Sequence, residues 1–261
     1  MYQTDVLIQG YPGRAVCHGG LGWSTVTLLR DGGRTILVDV GAFGVRKELA
    51  KQLRARDVDP AAVTDVVLSH AHYDHAVNFT LFPSATVWIG AAELEWASRQ
   101  PPGFNPLPEL YVRELASSDR VRRLAYGAEF LPGLKALASP GHTPGHLLFY
   151  LTGGPVPILF TGDAAKNRAE LVSGKVDSSE DFPASEATVR SIWSVWREVP
   201  GTLLIPGHDL SMRFDAAGTP AYVGERQAAI AAWFAEDLEL TTVIDLGPTV
   251  RHEIREAERD R

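Results

Sequence analysis

Four side chains able to bind a metal fall within the six residues His70-Ala71-His72-Tyr73-Asp74-His75, directly after the apolar run Val66-Val67-Leu68. A short apolar run that stops at a polar cluster reads as a buried strand ending at a site. In an extended segment alternate side chains share a face, so His70 and His72 converge on one point. Where the chain then turns, Asp74 and His75 can address a second point beside the first. One loop at one strand end can therefore serve two neighbouring metal ions.

The flanking sequence alternates strands and helices. Val6-Leu7-Ile8 reads as a first strand, followed by a glycine-rich loop from Gly10 to Gly22 that can border a site. Ser24–Arg30 and Arg34–Asp39, joined through Asp31-Gly32-Gly33, form a hairpin. Asp39 is expected to fix backbone geometry rather than bind metal. Val45, Leu49 and Leu53 share one face of a helix over residues 45–56, and Asp59-Pro60 opens a short helical turn. The motif strand covers residues 64–69, and Thr86–Ile89 is another strand. Strand, helix, strand, metal loop, strand is the alternation of an α/β layer.

Residues 91–99 read as a helix, and the proline-rich stretch 100–108 follows it. Together with the residues up to 118 it is expected to be a cap or insertion. A loop of this kind often acts as a lid, with Phe104 and Leu107 covering a substrate. Residues 121–124 and 133–139 read as strands, and 147–151 with 156–160 as a second hairpin through Gly153-Gly154. Val189, Ile192, Trp193 and Trp196 form the packed face of a helix over 185–199, and residues 202–205 are a last strand. Residues 222–235 read as a closing helix, and 250–261 as a charged tail containing His252.

His-x-His-x-Asp-His resembles the signature of the metallo-β-lactamase superfamily. Three later segments resemble its remaining motifs: Pro140-Gly141-His142-Thr143-Pro144-Gly145-His146, Thr161-Gly162-Asp163 and Pro206-Gly207-His208-Asp209. The resemblance runs from about Val26 to Asp209 and implies a four-layer αββα sandwich in the α/β class. Two strand-strand-helix halves fit that fold, although no sequence repeat is visible. The resemblance also implies seven metal ligands. His70, His72 and His142 go to one ion, Asp74, His75 and His208 to a second, and Asp163 to both, with a hydroxide completing each shell. His146 is expected to support its loop rather than bind metal.

Histidine and aspartate donors without cysteine suit two divalent ions, Zn²⁺ first, with Mn²⁺ or Fe²⁺ also acceptable. Such a centre supplies a nucleophile from water at neutral pH, with Asp74 handling its proton. His72 stands where electron-transferring flavodiiron relatives carry Glu, and Asp163 where two subgroups of class B β-lactamases carry Cys. Lys166 lies three residues beyond Asp163, an offset at which acyl-homoserine lactonases typically offer Tyr. A lysine there suits an anionic substrate or a developing oxyanion, with Asn167 and Arg168 adding hydrogen bonds. Hydroxyacylglutathione hydrolases share the Asp/His centre but usually append a basic helical region, which the acidic stretch after His208 does not match.

Composition narrows the class. A chain of 261 residues, 45% hydrophobic and 22% charged, suits a single domain over 1–261. A net charge of −7 disfavours a nucleic-acid partner. No apolar run reaches the about 20 residues of a membrane span, and no leader pattern opens the chain, so cytoplasm is the expected location. Cys17 is the single cysteine, excludes an intrachain disulfide and is expected to be a packed small residue. His18 is expected to be structural. The resulting expectation is a hydrolase of a small carboxylic derivative: lactone, ester, thioester or amide. A phosphodiesterase or nuclease, and a metal-binding module without turnover, are the alternatives. A homo-oligomer is left open.

Overall fold

The computed structural model describes residues 1–15 and 20–247. Cys17, His18, His252 and the 250–261 segment lie outside the described residues. The chain divides into two compact units, Met1–Val223 and Gly224–Arg261.

The first unit holds two sheets. One is built from β1 (Gln3–Ile8), β2 (Val26–Arg30), β3 (Thr35–Val38), β4 (Asp65–Val67), β5 (Thr86–Gly90) and β6 (Val121–Leu124), which lie side by side in chain order. β1, β2 and β3 are antiparallel, as a hairpin requires, and β3 to β6 are parallel. The parallel steps cross over through helices: α1 (Arg46–Arg54), the single turn α2 (Tyr73–Ala76), α3 (Ala91–Ser98) and α4 (Glu109–Ser117). The other sheet comprises β7 (Glu129–Leu131), β8 (Leu134–Ala138), β9 (Leu147–Leu151), β10 (Ile158–Gly162), β11 (Leu203–Pro206), β12 (Met212–Phe214) and β13 (Pro220–Tyr222). Its order is β13-β12-β11-β10-β9-β8-β7, with α5 (Arg168–Ser173) and α6 (Phe182–Glu198) inserted between the parallel pair β10 and β11.

Strand periodicity produces the layers. Leu29, Ile36, Val38 and Val67 turn towards the other sheet and pack with Leu134, Phe149, Phe160 and Ile205. Their neighbours Leu28, Leu37 and Val66 turn the opposite way and pack with Leu49 and Leu53 of α1 and Leu94 of α3. On the far side Leu148, Leu159 and Leu204 pack with Ile192 and Trp196 of α6. Alternate residues of one strand thus enter different cores, and the result is the expected αββα sandwich.

Trp196 anchors the outer layer. It is fully buried, stacks on Phe214 with centroids 4.1 Å apart, and donates Nε1–H to the Thr202 carbonyl at 2.9 Å. Trp196→Ala is expected to destabilise the protein by about 3–5 kcal/mol. Urea unfolding should show a lower midpoint at unchanged slope. A loss below about 1 kcal/mol would mean that the layer closes over the gap.

One expectation needs correction. Residues 222–235 are not helical. β13 ends at Tyr222, and β14 (Ala229–Ala232) pairs antiparallel with β15 (Thr242–Asp245). The alanines favour a helix locally, but pairing of Ile230 with Ile244 and of Ala231 with Val243 prevails. Residues 91–118, expected to be a cap or insertion, hold α3 and α4. Leu94 and Ala97 of α3 and Val112 and Leu115 of α4 belong to the core beneath the first sheet. Phe104 packs against that core and meets Trp96 edge-on at 5.9 Å.

Candidate metal centre and active-site cleft

The ligand motif lies beyond the end of β4. The chain stays extended as far as His72, whose φ is −64° and ψ 151°, and then turns into α2. This change of direction separates the two pairs of ligands. His70 and His72 converge with His142, which arrives on the loop between β8 and β9. Asp74 and His75 converge with His208, which follows β11. Asp163 follows β10 and lies between the two groups. Its Oδ2 is 3.3 Å from His142 Nε2, while its Oδ1 is 3.1 Å from His75 Nε2 and 3.3 Å from His208 Nε2. All seven residues suggested by the sequence therefore meet at one place, at the strand ends of both sheets.

The surroundings hold these side chains in place. Asp39, at φ +51°, accepts the Ser69 N–H and hydroxyl and faces His75 Nδ1, each at 2.8 Å. The geometry expected of Asp39 thus includes the orientation of a histidine ring. Ser69 Oγ is also 3.0 Å from His70 Nδ1, leaving Nε2 directed inward. The Ser178 carbonyl faces His142 Nδ1 at 3.2 Å. His146 supports Asp163, whose backbone N–H donates to His146 Nε2 at 3.1 Å, while Ser139 faces the other ring nitrogen at 2.7 Å. Gly162 permits this approach. Its φ is +48°, and a Cβ there would lie 2.7 Å from His146 Nε2 and 2.8 Å from Ser69 Cβ.

The electrostatics favour a bound cation. Burial drives the pKa of His70 and His146 well below that of free imidazole and lowers His72 to about 3. Burial opposes charge on His75 and His208 too, but the adjacent aspartates outweigh it, raising His75 strongly and His208 to about 9. Burial alone would raise Asp74, yet His75 and His208 hold it at about 2. Asp163 is pulled well below the usual carboxylate range by His208, His75 and His142, against its own burial. The nitrogens His72 Nδ1 and His142 Nε2 face each other at 3.0 Å, and His75 Nε2 and His208 Nε2 at 3.3 Å. His70 Nε2 and Asp163 Oδ1 are buried without a well-formed hydrogen bond. Buried polar atoms are rarely left this way, and a divalent ion in each group would satisfy them.

Above the centre is a cleft of about 400 Å³. Tyr11, Arg14 and Leu21 from the glycine-rich loop border it, together with Tyr73, Pro106, Lys166 and Asn167. Lys166 is not a solvated surface residue. Its Nζ lies 2.9 Å from Glu170 Oε1 and 2.8 Å from Asp177 Oδ1, and it is held cationic by Asp163, Glu170 and Asp177 against its burial. Asn167 caps α5, its side chain accepting the Glu170 N–H. Arg168 turns its guanidinium to the Pro220 carbonyl rather than to the cleft. Phe104 is not on the cleft lining; Pro106 is the residue of the proline-rich segment that reaches it. The reason is the packing of Phe104 against Trp96, which turns its ring into the helical layer.

Sequence reasoning misses Glu93 in this region. It is fully buried in the first turn of α3, and burial pushes its pKa up to about 7 against three hydrogen bonds. A sequence signal exists: Glu93 stands four residues before Ala97 on a helix face that should be apolar.

The sequence model of the metallo-beta-lactamase superfamily matches residues 19–208, a span that contains every residue of the centre. The chain belongs to the metallo-β-lactamase superfamily. A hydroxyacylglutathione hydrolase of Pseudomonas syringae pv. syringae is 28% identical over 185 residues, covering 67% of this chain and 61% of the relative. An N-acyl homoserine lactonase of a Bacillus species is 26% identical over 168 residues, covering 63% of each. This member of the superfamily thus spans about three fifths of the length of those two relatives. A crystal structure from Thermotoga maritima, of the same superfamily, superposes with a TM-score of 0.66 at 22% identity, covering 81% of this chain and 99% of that one. Hydrolases therefore stand among the relatives of this superfamily member, and its described residues include three His/Asp groups that could hold a metal ion. Among the described residues no helix is long and apolar enough to cross a membrane.

Proposed function

We propose that the protein is a dinuclear metal-dependent hydrolase of a small carboxylic derivative: a lactone, ester, thioester or amide. The observation that carries this is Asp163, whose two oxygens address two ligand groups at the floor of one cleft. Zn²⁺ suits the donors best, with Mn²⁺ and Fe²⁺ also matching them. His70, His72 and His142 would hold one ion, Asp74, His75 and His208 the other, and Asp163 both. When bound, such ions lower the pKa of water towards neutrality and polarise the oxygen of the scissile bond.

The chain's own groups supply position and proton transfer. Asp74 is ionised and its Oδ2 lies 3.2 Å from His208 Nε2, so it accepts a proton from attacking water and passes it to the leaving group. Lys166 offers its ammonium to a substrate carbonyl or carboxylate, with Asn167 beside it. The two relatives are named for hydroxyacylglutathione and N-acyl homoserine lactone, both carboxylic derivatives. A phosphodiester is less well matched, because the chain carries a net charge of −7 and phosphate binding calls for a basic surface.

Product formation by zinc-loaded protein on lactones, thioesters, amides and phosphodiesters tests the proposal. Turnover of an acyl substrate is expected. Turnover of phosphodiesters alone would move the assignment to a nuclease, and metal uptake without turnover of any substrate to a binding module.

Lys166→Ala is expected to raise KM for anionic substrates about tenfold or more while changing neutral ones less. Removal of the ammonium leaves Glu170 and Asp177 facing an incoming anion. A hydrogen bond to a charged group is worth about 1.5–3 kcal/mol, which sets the size of the effect. Equal losses on matched anionic and neutral substrates would remove Lys166 from substrate recognition.

A further inference from the structure

One buried carboxylate ties together the two loops that supply the first ligand group. Glu93 Oε1 accepts the Ala71 N–H at 2.9 Å, and Oε2 accepts the Thr143 hydroxyl at 2.6 Å. The Gly145 N–H is a third donor to it. Ala71 lies between His70 and His72, and Thr143 follows His142. Gly145 packs directly on the backbone of Ala92 and Glu93, where a Cβ would collide. The start of α3 is thus fitted against the second loop as its carboxylate grips the first.

The second ligand group is braced by other means. Asp39 faces His75, the His208 N–H donates to the Lys166 carbonyl at 2.8 Å, and the Ser24 hydroxyl donates to the Asp74 carbonyl. None of these hydrogen bonds passes through Glu93. We infer that Glu93 is a positioning residue that sets the metal affinity of the His70–His72–His142 group and leaves that of the Asp74–His75–His208 group unchanged. The inference rests on the proposal that each group holds an ion. Glutamine keeps one acceptor for Ala71 but places an amide N–H₂ where Glu93 receives a second set of donors; alanine leaves all three donors buried and unpaired.

The test is zinc titration of metal-free wild type, Glu93→Gln and Glu93→Ala, with circular dichroism and melting of each metal-free protein. Two ions on wild type are expected. The Glu93→Ala variant should lose about 10–100-fold in affinity at one site only, the range seen when a ligand's supporting partner is removed, with Glu93→Gln in between. Pairing with His142→Ala and His208→Ala identifies the site. Glu93→Gln should weaken the ion left in His208→Ala and should not further weaken the ion left in His142→Ala. Wild-type affinity in both Glu93 variants, or equal loss at both sites, overturns the inference. Fewer than two ions on wild type overturns the two-ion proposal itself, and that result is seen before any variant is compared.

Discussion

Asp74→Asn is expected to leave the fold intact and to lower turnover by about 10²–10⁴-fold, the range for loss of a positioned acid–base group. The substitution nearly preserves shape, and Asp74 is only 16% exposed beside His208 Nε2 at 3.2 Å and His75 Nε2 at 3.7 Å. Its chemistry changes in two ways. A carboxylate accepts at both oxygens, whereas a carboxamide accepts at one and cannot take up a proton. The negative charge opposing two imidazoles at this edge also disappears. The decisive measurement is kcat on the best acyl substrate alongside metal content. Turnover near wild type at full metal occupancy would exclude Asp74 from proton transfer. A loss of turnover matched by a loss of one ion would make it a ligand and no more.

Removal of metal is the second large effect. Chelation is expected to lower the melting temperature by on the order of 10 °C or more, and re-addition of zinc to restore it. An ion at about 1,000 times its dissociation constant contributes about 4 kcal/mol per site. Each kcal/mol moves the transition of a chain near this size by about 2–4 °C. The physical source is the convergence of five imidazoles and two carboxylates, in which His70 Nε2 and Asp163 Oδ1 lack well-formed hydrogen bonds. Calorimetry with and without chelator, with metal content measured on the same samples, checks it. An unchanged transition after complete stripping would mean that the folded chain tolerates these groups unaided.

The parts of this centre are unevenly legible in the sequence, for physical reasons. His70, His72, Asp74 and His75 can be read directly, because they are contiguous and strand geometry separates them into two directions. His142, Asp163 and His208 each sit in a motif too short to carry a metal assignment alone, and they emerge only through resemblance. Glu93 acts on backbone and hydroxyl donors 22 and 50 residues away, a relation that no local pattern encodes. Phe104 shows the opposite difficulty. An aromatic residue in a proline-rich stretch suits either a lid or a core, and the facing Trp96 decides it. Ala229–Ala232 reads as helix because its helix propensity is local, while its strand partner lies at residues 242–245.

Each group of ligands joins residues from both sheets, which gives the centre a topological consequence. His72 and His142 are separated by 70 residues of chain, and His75 and His208 by 133. Ions gripped by these pairs would fasten distant stretches of backbone to each other and remove the freedom of long loops from the unfolded chain. A protein with one cysteine cannot form that kind of staple within itself from sulfur. Its catalytic metals would serve as its cross-links, and conditions that strip zinc would release the clasp between its two halves as well as silence its chemistry.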